Sequence, residues 1–375
     1  MKRKKNNYFL KRFVKQENIA HELSEKKQEQ LKKIYREARR ELESDLAFFI
    51  ERYSKENEFT AADLKKMLNT KEKAEFRYSI KGYVEEIEKL GKDSKEAKML
   101  KKELDIMAGR TRVSRKQELI TSINYELSRA SLKTNNEIEK HLTEVVEFVI
   151  KDTHKIISGN TLTKLDPKLI ENIVNQKWDS KNYSSRVWSN KKGLADKVMK
   201  HITTGFIQGH DYKKMSDRLV KDMNVGYYEA RRILQTETTG AIENAKAQTF
   251  KDLGVTKYKF IATVDDRTSE ICRSLDGKIF DMKDRQIGVN CPFMHPFCRS
   301  VTVPIVDDKV KDKKLRENSE EALKNNENEL TKEEKSVIMK YKSFESIKIN
   351  EKLRNKHILT EEDKIFIKNL DSALK

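Results

Sequence analysis

Three cysteines and one histidine lie within a short segment of the chain. The spacing C-x18-C-x3-H-x2-C joins Cys272, Cys291, His295 and Cys298, and the chain has no other cysteine. Thiolates and imidazole form a common ligand set of tetrahedral Zn²⁺. We therefore predict a structural zinc site, because a metal would supply folding energy to a segment with little core of its own. The alternative is that these cysteines are small buried hydrophobic residues.

Two polar turns flank Cys272 in the sequence. Aspartate side chains in such turns bond to backbone amides, and an arginine can pair with a carboxylate. Acidic groups beside a histidine are also found in metal-dependent nucleases, which gives an alternative function. No second histidine lies nearby to serve as both base and ligand in such a site. The turn residues are Asp265, Asp266, Arg267 and Thr268 before Cys272, and Asp276 and Gly277 after it.

A carboxylate upstream of the cysteines falls on an apolar helix face. Glu237 lies four residues after Ile233 and four before Ala241, so all three share one side of the helix. A buried carboxylate needs a partner, and we expect an ion pair with Arg231 or Arg232. The alternative is that Glu237 is a catalytic acid.

The chain as a whole is polar and poor in residues that break helices. Of its 375 residues, 37% are charged, whereas roughly 25% is usual for globular chains. It has only 4 Pro and 12 Gly, and no proline precedes Pro167. This composition favours long helices over a β-sandwich. The predicted fold class is therefore mainly α.

Changes in the hydrophobic pattern divide the chain into four parts. Residues 1–158 carry helical apolar stripes and are predicted to form an elongated N-terminal helical arm. Residues 159–253 contain both tryptophans and are predicted to be a helical middle domain. After Gly254, short extended runs predict a small α+β Cys/His module over 254–308. Residues 309–375 are predicted to be a charged linker and a helical C-terminal tail.

The helices of the arm should be joined by short connections at Gly82, Gly91 and Gly109. In the arm, helices are predicted over 18–53, 76–90, 94–108 and 114–150, and a short helix is predicted to start near Thr60. In the middle domain, a further helix is predicted over 227–253.

The formal net charge of +18 favours acidic partners such as nucleic acid or an electronegative protein surface. Acidic and basic residues alternate along most of the chain, so the charge also fits the solvated faces of amphipathic helices. No apolar run reaches the roughly 20 residues that cross a bilayer. No secretory signal is predicted either. Three cysteines in a chain without a secretory signal indicate synthesis in a reducing cytoplasm.

Several spaced motifs follow one another between residues 236 and 300. They are Thr236-Glu237, Asp266-x-Thr268, Cys272, Leu275-Asp276-Gly277 and His295-Pro296-x-Cys298-Arg299-Ser300. In this order they resemble the phage head-morphogenesis family, the Mu F-like minor head proteins. The segment WDSKNYSSRVWSNKKGL and the helical arm are similar to longer minor capsid proteins, so the resemblance covers roughly residues 10–308.

The resemblance implies a minor head protein present in few copies in the virion. Its expected partners are the portal and the capsid or scaffold proteins, and its expected place is the portal or the capsid interior of the phage head. Such proteins act in head assembly and are sometimes ejected with the DNA. Synthesis would take place in the cytoplasm of the bacterial host.

The chain departs from the family pattern at two positions. The family usually has a small residue or proline in place of Cys291, and a second proline in place of Phe293. If zinc binds through shared family positions, Cys291 is the weakest ligand candidate. The ligands would then be Cys272, His295 and Cys298, with a fourth from Asp265, Asp266 or water.

The last part of the chain, LTKEEKSVIMKYKSFESIKINEKLRNKHILTEEDKIFIKNLDSALK, resembles the opening helices of ADP-ribosyltransferase toxin domains. That family needs an arginine on an early strand, a Ser-Thr-Ser strand and a Glu-x-Glu loop, and none follows in this sequence. Glu327-x-Glu329 matches the Glu-x-Glu loop of that family in composition only, because it precedes the helices instead of following the strands. We therefore expect a structural protein without enzymatic activity. The alternatives are a toxin fusion whose catalytic half is missing from this chain, and a non-specific DNA-binding head accessory protein.

Overall fold

The computed structural model describes residues 2–306, apart from 54–60, 92, 109–113, 160, 163 and 179. This part of the chain is mainly helical and contains a small three-stranded antiparallel sheet, which confirms the predicted fold class. The predicted linker and tail, 309–375, lie outside the described residues. The helices are α1 Lys2–Tyr53, α2 Ala61–Lys65, α3 Thr70–Leu90, α4 Lys95–Ala108, α5 Arg115–Ser158, α6 Pro167–Val174, α7 Tyr183–Ile207, α8 Tyr212–Asp252 and α9 Glu270–Leu275. The strands are β1 Lys257–Ile261, β2 Ile279–Asp281 and β3 Val301–Ile305.

Several helices are longer than the sequence predicts. Helix α1 begins at Lys2 instead of residue 18 because Phe9 and Phe13 continue its buried face toward the N-terminus. Helix α8 likewise begins at Tyr212 instead of residue 227.

Local capping determines where two other helices start. Asn69 and Glu72 form a capping box at the start of α3, which therefore begins before the predicted residue 76. Ser114 and Gln117 form the same box at the start of α5, close to where the sequence places it. Gly159 ends α5 in the left-handed conformation.

Gly82 is a correction to the predicted connections, because it lies inside α3. A Cβ atom at this position would lie 2.6 Å from Oη of Tyr125 on α5. The glycine therefore allows close approach of the two helices. Gly91 does end α3 with a positive φ, as predicted. Gly109 lies outside the described residues.

Four long helices share one hydrophobic core. Leu42 of α1, Val145 of α5, Val198 of α7 and Leu234 of α8 all belong to it and are buried. Helices of the predicted arm and of the predicted middle domain therefore pack directly on each other. The domain boundaries at 158 and 253 stay predictions. None of the helices in the described part of the chain is long and apolar enough to cross a membrane.

The sheet has the order β2-β1-β3, with β1 antiparallel to both neighbours. Tyr258 and Phe260 alternate along β1 toward the interior and are fully buried. Strand β3 contacts α1 and α8, so it joins the sheet to the helical core. The segments that follow β1 and precede β3 carry the predicted metal ligands.

Candidate metal centre

The structure brings together three of the four predicted metal ligands. The Sγ atom of Cys272 lies 3.3 Å from Nε2 of His295 and 3.8 Å from Sγ of Cys298. All three ligand atoms lie within 4.8 Å of one another. Both cysteines are buried and His295 is half-buried. This group could hold a metal ion.

Cys272 is positioned by the start of helix α9. Ser269 caps this helix, and its hydroxyl accepts a hydrogen bond from the Cys272 backbone N–H at 3.2 Å. The cap holds Cys272 in the first helical turn, where its side chain points into the apolar cluster with Phe260 and Phe293.

His295 and Cys298 are positioned by a tight turn. The backbone N–H of Cys298 donates to the His295 carbonyl at 3.1 Å, and Phe297 between them has a φ of 60°. The Nδ1 atom of His295 lies 2.9 Å from the Pro296 carbonyl. A carbonyl only accepts, so Nδ1 is the donor in this contact, and in the neutral imidazole Nε2 then carries the lone pair on the side of Cys272. Metal-bound histidines typically use this arrangement.

Asp265 and Arg299 clamp the two ligand-bearing segments together. Arg299 donates to both carboxylate oxygens of Asp265, at 2.7 and 2.6 Å. These bonds, together with the Arg267 backbone N–H, hold the pKa of Asp265 well below its usual range. Thr268 completes the turn because its hydroxyl accepts from the Asp265 backbone N–H. Asp265 is therefore engaged by Arg299, and Asp266 beside it is exposed.

Asp276 and Gly277 form the predicted turn between α9 and β2. The Asp276 carboxylate accepts from the Ala262 N–H at 2.9 Å. Gly277 has a φ of 78° and donates to the Phe260 carbonyl at 2.8 Å. The turn thus fixes the end of β1, from which the ligand segment starts.

Cys291 lies outside the metal-ligand group. Its Sγ faces Glu243 of α8, 3.8 Å from Oε2. Burial and the Glu243 carboxylate raise the pKa of the Cys291 thiol. Because this sulfur faces α8 and is not among the ligand atoms that lie together at Cys272, His295 and Cys298, the geometry does not support Cys291 as the fourth ligand.

A buried ionic network next to Cys291 was not anticipated from the sequence. The Nζ atom of Lys246 is fully buried and lies 2.9 Å from Glu243 and 3.0 Å from Glu17. These carboxylates raise the pKa of Lys246 even though desolvation opposes its charge. Glu243 also accepts from the Thr302 backbone N–H at 3.2 Å. The network joins α1, α8 and β3, and the only sequence signal for it is a pair of opposite charges on the buried side of α8.

The partner of Glu237 is Arg186 of α7, so the predicted pair with Arg231 or Arg232 is wrong. Arg186 Nε lies 3.0 Å from Glu237 Oε1. Burial raises the pKa of Glu237 to about 7, and Arg186 only partly opposes this shift. The contact favours a structural role for Glu237, because its buried side chain accepts a hydrogen bond from Arg186 of the neighbouring helix.

Aromatic packing connects Arg186 to the metal-ligand segment. The guanidinium of Arg186 lies over the Trp178 ring at 3.5 Å from its centroid. Trp178 packs edge-on against Phe293, with centroids 4.3 Å apart. Phe293 in turn lies against Gly240, where a Cβ atom would come within 2.6 Å of the ring. Helix α8 therefore needs glycine at this position.

Two comparisons with known proteins found a similarity, and one of them covers the region just described. Residues 196–303 match the family described as "Phage Mu protein F like protein". A protein named "NAD(+)--arginine ADP-ribosyltransferase EFV", from Enterococcus faecalis (strain ATCC 700802 / V583), is 29% identical over 154 residues. The aligned segment covers 37% of this chain and 31% of that relative, so the chain spans about a third of the relative's length. No solved structure matches. The resemblance to the Mu F-like proteins is thus confirmed for residues 196–303, which include all three residues of the metal-ligand group.

Proposed function

We propose that this chain is a minor head protein that acts in phage head morphogenesis, at the portal or in the capsid interior. The observation that carries the proposal is the family match over residues 196–303. The family motifs lie at the contacts that hold this region together. Glu237 binds Arg186, Asp276 fixes the end of β1, and Arg299 clamps Asp265.

The proposed partners are the portal and the capsid or scaffold proteins, and the proposed place is the virion. Ejection with the DNA is part of the same proposal. Synthesis would occur in the cytoplasm of the bacterial host. The family resemblance supports each of these points.

A deletion in the phage or prophage tests this function. Without the gene, we expect fewer DNA-filled heads in electron micrographs and a loss of infectious particles, both restored by the wild-type gene. A tagged chain should sediment with purified heads. Normal assembly and full infectivity without the gene would refute the assembly role.

A matched pair of variants links the assay to the structure. Arg299→Gln removes the clamp on Asp265 and should reduce complementation. Arg267→Gln changes a neighbouring exposed arginine, whose guanidinium lies 3.7 Å from Asp265, and it keeps the backbone N–H that bonds Asp265, so this variant should complement fully. Equal complementation by both variants would contradict a role for the clamp.

The metal of the Cys272–His295–Cys298 group is proposed to be Zn²⁺, with a structural role. Zn–S bonds of about 2.3 Å and Zn–N bonds of about 2.0 Å place two sulfurs roughly 3.8 Å apart, and a sulfur and a nitrogen roughly 3.5 Å apart. Two of the three separations, 3.8 Å between the sulfurs and 3.3 Å between Cys272 and His295, fit this geometry, and the third pair of atoms lies within 4.8 Å. Two thiolates and an imidazole also favour zinc over magnesium or calcium. When bound, the ion would cross-link α9 to the segment before β3.

The second candidate function is a toxin fusion of the ADP-ribosyltransferase type, whose catalytic half is missing from this chain. One relative carries that activity in its name, and this observation supports the candidate. The aligned part covers only 31% of the relative, so the activity does not transfer with the alignment.

A third candidate is non-specific contact with DNA. Gln16 of α1 donates to Asp152 of α5 at 2.8 Å, so the start of α1 lies beside the end of α5. The exposed Lys11 and Lys155 thus project from the same end of the helical core. Together with the net charge of +18, this cluster supports contact with phosphates.

A further inference from the structure

We infer that the metal centre keeps its fourth coordination position open to an external ligand. This inference rests on the proposed zinc site and goes beyond it, because it assigns the centre a binding role in addition to a structural one. The ligand would be a nitrogen or sulfur donor, such as an imidazole or a thiolate, which zinc favours when its other ligands are soft.

The candidate metal centre offers three donors from this chain. Within the described residues, the group contains Cys272, His295 and Cys298 and no fourth Cys, His, Asp or Glu. Asp265 has both oxygens bound by Arg299. Structural zinc sites are almost always closed by four protein ligands, whereas three protein ligands leave a position for water or another molecule.

Apolar side chains pack around the two sulfur atoms. Cys272 and Cys298 lie in an apolar cluster with Phe260, Ala262 and Phe293. The side chains of Phe260, Ala262 and Phe293 offer no donor to the ion, so none of these three can complete its coordination.

Solvent reaches the side of the group that carries His295. His295 is half-buried, and Pro296 next to it is exposed. Ile271, adjacent to Cys272, is also 56% exposed. The group therefore lies just below the surface, and an external donor can approach from the His295 side.

Cobalt spectroscopy of the full, reduced chain tests the inference. Co²⁺ takes the tetrahedral geometry of zinc, its d–d bands report the coordination sphere, and its thiolate bonds give a charge-transfer band in the near ultraviolet. Titration with imidazole should shift the d–d bands to a saturable end point. The charge-transfer band should persist during the titration, which shows that imidazole adds to the bound ion and does not extract it.

Two cysteine variants serve as a matched pair. Cys291→Ser lies outside the group and should give the same spectra and the same response as the parent. Cys298→Ser should lose about half of the thiolate charge-transfer intensity or fail to hold cobalt, because one of two thiolate ligands is gone.

The outcomes distinguish the open coordination position, the zinc site and the role in head assembly. Unchanged d–d bands alongside full thiolate charge transfer would mean that this chain fills the fourth position, which overturns the inference but leaves the zinc site. No thiolate charge transfer in the parent would overturn both. Neither result bears on head assembly, which the gene deletion tests independently.

Discussion

His141 should make the folded state sensitive to acid. It lies fully buried on α5, and its Nε2 lies 2.9 Å from the Thr238 hydroxyl of α8. That hydroxyl already donates to the Leu234 carbonyl, so its oxygen accepts from Nε2–H. Burial, together with the positive charge of Lys27, lowers the pKa of His141 to about 4 from the ordinary value of 6.5.

The sign and the magnitude follow from this difference in pKa. Between pH 6.5 and 4 the unfolded chain binds a proton at His141 that the folded chain does not bind, so stability falls as the pH falls. A shift from 6.5 to about 4 corresponds to about 3 kcal/mol over that window. In the His141→Leu variant this loss should disappear. Thr238 keeps its own bond to Leu234 in the variant, so no buried donor is left without a partner.

Glu237 acts in the opposite direction over a similar pH range. Its pKa rises from 4.5 to about 7 on folding, so the folded chain keeps a proton that the unfolded chain has lost. Its stabilising contribution is full below pH 4.5 and is lost as the pH rises through 7, again by about 3 kcal/mol. In the wild-type protein, the opposite pH dependences that His141 and Glu237 give to the stability should therefore nearly cancel.

Urea unfolding at several pH values between 4.5 and 7 measures both effects. Relative to wild type, His141→Leu should gain stability as the pH falls. Glu237→Gln should instead lose stability as the pH falls, which makes it the counterpart of opposite sign. Parallel stability curves for wild type and His141→Leu would refute the assignment of a depressed pKa to the buried imidazole.

Three further predictions concern the metal, DNA and NAD. The protein purified without chelators should contain about one Zn²⁺ per chain. The Cys298→Ser variant should contain less zinc, and its residues 254–308 should be cleaved by proteases more readily than those of the Cys291→Ser variant. If the parent protein contains no zinc and melts like the Cys298→Ser variant, the result would instead support the alternative that the cysteines are small buried hydrophobic residues. DNA affinity should be independent of sequence and fall steeply with salt, by about 0.9 logarithmic units per phosphate contact for each tenfold rise; a specific footprint that persists at high salt would contradict this. The chain should show no NAD glycohydrolase activity. Turnover of NAD that is abolished by changing Glu327 or Glu329 would contradict this prediction.

Much of the fold follows from local signals in the sequence. The scarcity of proline and glycine and the apolar stripes predict long helices, and the change of period after Gly254 predicts the small β-containing module. The turn at Asp276 and Gly277 was also predicted, because its chemistry lies in adjacent residues. Such signals act over a few residues and do not depend on what packs against them. The start of α1 was missed because its charges conceal the buried Phe9 and Phe13.

The partners of the buried polar groups were decided by the tertiary structure alone. Periodicity places Glu237 on a buried face, but its partner Arg186 is 51 residues away on another helix. Likewise, Lys246 is neutralised by Glu17, 229 residues away, a contact that no local pattern contains. Cys291 shares the spacing of a metal ligand, yet its backbone turns it toward α8, while His295 converges on Cys272. Sequence spacing specifies which residue types are available, whereas chain packing selects which of them lie within bonding distance.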